Sequence, residues 1–197
     1  MSPEINITQF PCQSLVQTIR CHMRIWFAVS VVLVLLQGGP AIADMQCGEK
    51  PDIVKNYLRS NPSWSIVSLN DLQADDQKLW KEKGNGLCPG LATVRLSQTN
   101  AKSYAVALLR TDGNVKEEKL VLLSRSESKY KEQSLVDPVS TVNPFVVYRV
   151  GPGKSYDAKK RKYVHLNSDS IVFEKLESTS TSFYYVDGKL RSLVGSF

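Results

Sequence analysis

From Leu91 to Val194, apolar residues recur at every second position in short runs, each bounded by glycine, proline, asparagine or aspartate. Side chains two apart share one face of an extended chain, so this pattern confines that stretch to short antiparallel strands. Leu91–Leu96, Tyr104–Thr111 and Lys119–Ser124 read as the first three, with Thr111-Asp112-Gly113-Asn114 turning between the last two. Phe145–Val150, Lys162–Leu166 and Ser170–Lys175 follow. Thr181–Val186 and Lys189–Val194 close the set across Asp187-Gly188, a two-residue hairpin signal.

Ahead of Leu91 the period is helical. Ile53, Val54, Tyr57 and Leu58 share one side of a helix opened by Pro51 and Asp52 and ended by Asn61-Pro62. Trp64–Leu69 alternates briefly and reads as a strand. Asp75–Lys83 predicts a second helix, with acids in its first turn, Lys81 and Lys83 in its last, and Leu79 and Trp80 turned inward. Gly84-Asn85-Gly86 stops it. The expected fold is α+β: two short N-terminal helices packed on a seven- to eight-stranded, mostly antiparallel sheet, in one domain from 44 to 197.

The N-terminal segment reads as an export signal. Arg24 supplies a basic start, Ile25–Leu36 is a nearly unbroken apolar run, and Gln37-Gly38-Gly39-Pro40 leads to the small residues of Ala41-Ile42-Ala43. That run has 12 residues, against the roughly 20 that a membrane-spanning helix needs. Residues 23–43 are therefore expected to be a signal peptide and 1–22 a non-native upstream extension, with Met23 as the start. The alternative is a long basic region that leaves Ile25–Leu36 as a membrane anchor. Export implies a periplasmic or secreted protein that touches membrane only through this segment.

Two of the four cysteines, Cys12 and Cys21, precede the signal, leaving Cys47 and Cys88 to pair as a disulfide in an oxidising compartment. Cys47 does not fit a lipoprotein anchor, because Asp44-Met45-Gln46 intervenes after the cleavage point. The chain carries a net charge of +6, and the two basic residues and one acidic residue before Asp44 leave 44–197 at +5. Such a balance suits loose attraction to anionic headgroups or wall polymers, and is too small and scattered to argue for nucleic acid.

The densest charge cluster is Lys159-Lys160-Arg161-Lys162, with Lys154 upstream, and these five are the candidate binding residues. They follow Gly151-Pro152-Gly153 and are expected in an exposed, mobile connection. There they would contact phosphate or carboxylate polymers, or serve only solubility and the protection of a strand edge. His165 is the single histidine in 44–197. Alternation places Val164 and Leu166 on one face of their strand and Tyr163 and His165 on the other. A hydrolase using His165 with Asp169 and a serine would need a turn such as Gly-x-Ser-x-Gly, which does not occur. With Cys88 oxidised, a Cys–His pair has no thiolate either.

No catalytic residue is assigned. No metal or cofactor is expected: one histidine and a disulfide make no zinc set, and no Asp-x-Asp-x-Asp-Gly calcium loop is present. Adjacent Asp75 and Asp76 read as the acidic first turn of the second helix. Gly84–Gly90 leaves a helix and enters a strand, the wrong order for a phosphate cradle. Tyr148, Tyr163, Phe183, Tyr184 and Tyr185 alternate as strands packed on both sides would.

Two segments carry a resemblance. Cys88-Pro89-Gly90-Leu91 precedes Ser103-Tyr104-Ala105-Val106-Ala107-Leu108-Leu109, and Ile171-Val172-Phe173-Glu174 precedes Phe183-Tyr184-Tyr185-Val186-Asp187-Gly188-Lys189-Leu190. Together they resemble uncharacterised secreted bacterial proteins with a single degenerate FG-GAP-like hairpin. Where such a hairpin carries aspartates and glycines for calcium, this chain has Ser97-Gln98-Thr99-Asn100-Ala101-Lys102. The resemblance implies export and a β-rich fold, and no activity. The expected function is an exported, non-enzymatic binding module that recognises an envelope protein or an anionic wall polymer. The alternatives are a secreted hydrolase using His165 and a membrane-anchored structural envelope protein.

Overall fold

Pro51 begins helix α1 (Asp52–Ser60) in the computed structural model, its carbonyl accepting from the N–H groups of Val54 and Lys55 at 2.9 and 3.0 Å. Proline suits this position because its missing N–H would have no partner in the first turn. The described residues are 47–83, 87–96, 101–126 and 129–196, all within one compact unit, 42–197. The signal-peptide reading, the Gly84-Asn85-Gly86 stop and Ser97–Asn100 lie outside them. Among the described residues, no helix is long and apolar enough to cross a membrane.

After α1 come strand β1 (Ser65–Ile66), a 3-10 turn (Leu69–Asp71) and helix α2 (Ala74–Lys83). The strand expected over Trp64–Leu69 is thus cut to two residues. Asp71 ends it, because its carboxylate accepts from both the N–H and the hydroxyl of Ser68 at 2.7 Å and turns the chain. Then follow β2 (Leu91–Val94), β3 (Ser103–Asp112), β4 (Val115–Ser126), β5 (Lys129–Ser140) and β6 (Val146–Val150). The last five strands are β7 (Gly153–Asp157), β8 (Lys162–Leu166), β9 (Ser170–Lys175), β10 (Thr179–Val186) and β11 (Lys189–Ser196).

The strands do not form the one sheet expected. They build three: β1-β3-β4-β5 with β2 also on β3, β11-β10-β9-β6, and the β7-β8 hairpin, with every pairing antiparallel. One open sheet of this many twisted strands would leave large apolar faces bare, and splitting it lets the faces cover one another. One core joins both larger sheets: Ala105, Ala107, Leu120 and Leu122 from the first meet Val146, Ile171, Phe173 and Phe183 from the second, with Trp80 of α2. The opposite face of the first sheet (Val106, Leu108, Val121, Leu123) buries Val54 and Tyr57 of α1. The outer face of the second sheet buries Tyr184 and Leu193 beneath Leu166 of the hairpin.

β1 and β2 lie end to end along β3. Ala107 joins them: its carbonyl accepts from Val67 at 3.0 Å and its N–H donates to Gly90 at 2.9 Å. At this seam a side chain on Gly90 would meet the Val67 carbonyl at 2.5 Å, so the Pro89-Gly90 turn requires glycine for close approach. The Cys47–Cys88 disulfide closes beside it, both sulfurs 4.0 Å from the same Val67 oxygen. Val147 of β6 donates to the Pro89 carbonyl at 2.7 Å, tying the second sheet to the turn.

Candidate functional site

The β7–β8 hairpin brings the sequence-selected cations together. Lys154 pairs across the strands with His165, Tyr156 with Tyr163, and Asp157 with Lys162, while Lys159, Lys160 and Arg161 occupy the connecting turn. The candidate binding residues therefore belong to a β-hairpin and not to a loose connection. Lys154 and Lys162 are strand residues, and only Ala158–Arg161 form the turn between them. Gly151-Pro152-Gly153 reads as loop punctuation in the sequence, but Gly153 opens β7.

Local chemistry folds this turn. The Asp157 carboxylate accepts from the Lys160 backbone N–H at 3.1 Å and lies 3.5 Å from the Lys160 ammonium. That N–H first, and then the ammonium, hold the Asp157 carboxyl below the usual carboxylate range. Arg161 takes the left-handed conformation (φ 51°) that lets the chain reverse into β8. Ala158 donates to the Val194 carbonyl at 3.2 Å, and Val164 packs with Leu166 against Tyr184 and Leu193. The hairpin is thus anchored by one face and one backbone bond, with its other face outward.

Lys154, Tyr156, Tyr163 and His165 present that outward face, and all four are exposed. The two tyrosine rings lie 5.2 Å apart at 59°, with Tyr163 72% exposed. This corrects the expectation that Tyr163 belongs to sheet packing along with Phe183 and Tyr184, both of which are buried. Tyr156 was not singled out in the sequence. The signal lay in its spacing: it stands two residues after Lys154, opposite Tyr163, once Asp157 and Lys162 flank a turn. Charge concentrates here too. Residues 153–166 hold five Lys or Arg and one acid, Asp157, and so carry most of the excess positive charge of 44–197.

A relay through His165 is not assembled. His165 faces outward, whereas Asp169 is buried, accepting from the Arg95 N–H at 2.8 Å and lying 3.7 Å from Arg149. Among the described residues no group of three or more His, Cys, Asp or Glu is gathered as a metal site would need. Asp75 and Asp76 do stand in the first turn of α2, where burial, and then Asp75, push the Asp76 carboxyl up.

Other polar groups close the fold. The Tyr57 hydroxyl donates to Glu132 at 2.8 Å and accepts from Lys119 at 3.0 Å, while Lys119 lies 4.4 Å from the Trp64 ring centre. Burial raises the Tyr57 hydroxyl and lowers the Lys119 ammonium from their ordinary values. These contacts fasten α1 across β4 and β5. Glu118 is completely buried and accepts the Phe145 N–H with both oxygens, at 2.9 and 3.0 Å. Burial pushes its carboxyl up to about 8, only partly opposed by that N–H.

No protein-family model, no curated protein and no solved structure matches this chain.

Proposed function

We propose that this protein is an exported, non-enzymatic binding module that recognises an anionic wall polymer through the outward face and turn of the β7–β8 hairpin. The observation that carries the reading is the exposed Tyr156–Tyr163 pair, with Lys154 on the same face, Lys159, Lys160 and Arg161 in the adjoining turn and Lys162 exposed beside it. Tyrosines with bare ring faces and wet hydroxyls stack well on sugars, and the surrounding ammonium groups attract phosphate or carboxylate at long range. A tyrosine pair exposed for solubility alone would be a poor choice, because it leaves apolar area in water.

Export under the 23–43 segment sets the class of partner, a periplasmic or wall polymer. An envelope protein as partner is less well supported, because most of the apolar area of the larger sheets is covered by α1, by each other and by the hairpin. The hydrolase reading fares worse, since His165 and Asp169 are not gathered. The test is amide chemical-shift mapping on the full chain during titration with a teichoic-acid-type glycan phosphate. Shifts concentrated in 154–165 support the reading, and shifts centred on another surface, or none, refute it.

A further inference from the structure

α1 covers the first sheet only in part. Along β4 the residues facing it run Val121, Leu123, Arg125, and along β3 they run Leu108, Val106, Tyr104, so the lining changes from buried aliphatic to aromatic and cationic. β5 continues the change, since Tyr130 stands directly across from Arg125. An open groove of about 700 Å³ lies there, walled by Asp52 and Ile53 of α1 and by Lys102, Tyr104, Arg125 and Tyr130. That volume is within the range of small-molecule sites.

We infer that this groove binds a small aryl carboxylate. Ile53 and Tyr104, half-buried against the core, give it an apolar floor, and Tyr130, 41% exposed, gives it an aromatic wall. Arg125 supplies a planar fork suited to a carboxylate, and Lys102 a second positive charge. Asp52 is the one acid among the described lining residues, and it lies 3.6 Å from Lys55. Among the described residues the lining charges sum to one excess positive, which suits a monoanion. A surface end needing only solvation would not require two cations beside two tyrosine rings. This site is separate from the hairpin, and its ligand is small where the hairpin's is polymeric.

The experiment is an NMR titration of the full chain with phenylacetate, phenylacetamide and phenyl phosphate at up to ~10 mM, following the Arg125 Nε–H and the amides of Ile53 and Tyr104. Phenylacetate should give saturable shifts, at least tenfold stronger in affinity than the uncharged amide. Arg125→Gln and Lys102→Gln should each weaken it about tenfold, and Tyr130→Ser several-fold. The hairpin variant K159Q/K160Q/R161Q/K162Q should leave it unchanged. An absent or non-saturating response, an equal response to the amide, tighter binding of phenyl phosphate, or indifference to Arg125→Gln would each overturn the inference.

Discussion

Tyr156 and Tyr163 stand opposite each other across β7 and β8, their ring centres 5.2 Å apart and their outer faces in solvent. Cross-strand aromatic pairs add modestly to the stability of a two-stranded ribbon, so this pair supports the hairpin locally and is the surface that the proposed function uses. Val164 and Leu166 on the opposite face secure the ribbon to the second sheet. Separate removal of ring and charge is therefore informative.

Tyr156→Ala and Tyr163→Ala should each weaken binding of a glycan phosphate by roughly threefold to tenfold, the worth of one stacking contact. Because both rings lie on the exposed face of the ribbon, global stability should move by less than about 1 kcal/mol. Isothermal titration together with urea denaturation checks both halves. A variant that loses several kcal/mol would show the rings to be structural.

Glu118 makes stability depend on pH. Its carboxyl titrates near 4.5 when unfolded and at about 8 when folded, so the native state keeps a proton that the unfolded chain releases between these values. Stability should therefore fall as pH rises from about 4.5 to about 8 and level off above it, by at most roughly 4–5 kcal/mol. Glu118→Gln keeps a carbonyl oxygen for Phe145 and should remove most of that slope, gaining stability at pH 8. Urea midpoints at pH 5 and pH 8 measure it, and an unchanged slope in the variant would refute the assignment.

The Cys47–Cys88 bond spans a sequence separation of 41. Closing such a loop stabilises by about 4 kcal/mol in the chain-entropy model. Cys47→Ser with Cys88→Ser should lower the melting temperature on the order of 10 °C. Calorimetry with and without reductant checks this, and coincident melting of the two forms would contradict it.

Gly90→Ala tests the seam between β1 and β2. Its new methyl would meet the Val67 carbonyl and N–H at 2.5 and 2.7 Å, both backbone atoms, so the strands must part. A loss of about 1–3 kcal/mol is expected, with faster amide exchange at Val67 and Ala107. Wild-type stability in this variant would show the turn able to yield.

The strands were legible where apolar residues alternate along at least one face or where the turn is unambiguous. Lys162–Leu166 and Ser170–Lys175 match their expected bounds, and the Asp187-Gly188 hairpin has the two positive φ angles (51° and 70°) that its residues favour. β5 gave no signal because it is a polar edge strand. Its pairing slips twice against Glu118–Val121, and Pro138 lies at one of these irregularities, where a missing N–H is tolerated. β7 was hidden by Gly153 and by lysines that suggest a loop. With β7 unseen, the five cations could be named as candidates but not placed on one ribbon with Tyr156. Nor could alternation alone divide the strands into three sheets, since it shows which residues share a face and not what that face meets.

The most direct test of the account measures the affinity of the full chain for a teichoic-acid-type glycan phosphate at several salt concentrations. Wild type is compared with K159Q/K160Q/R161Q/K162Q, whose substituted side chains are exposed and which keeps the backbone N–H of residue 160 that Asp157 accepts, its fold being checked by urea denaturation. Wild-type affinity should fall steeply as salt rises, because screening weakens contacts between exposed charges. The variant should bind at least tenfold more weakly at low salt and show a much shallower dependence. Equal affinity and equal salt dependence in the two proteins would contradict the assignment of the hairpin as the binding site.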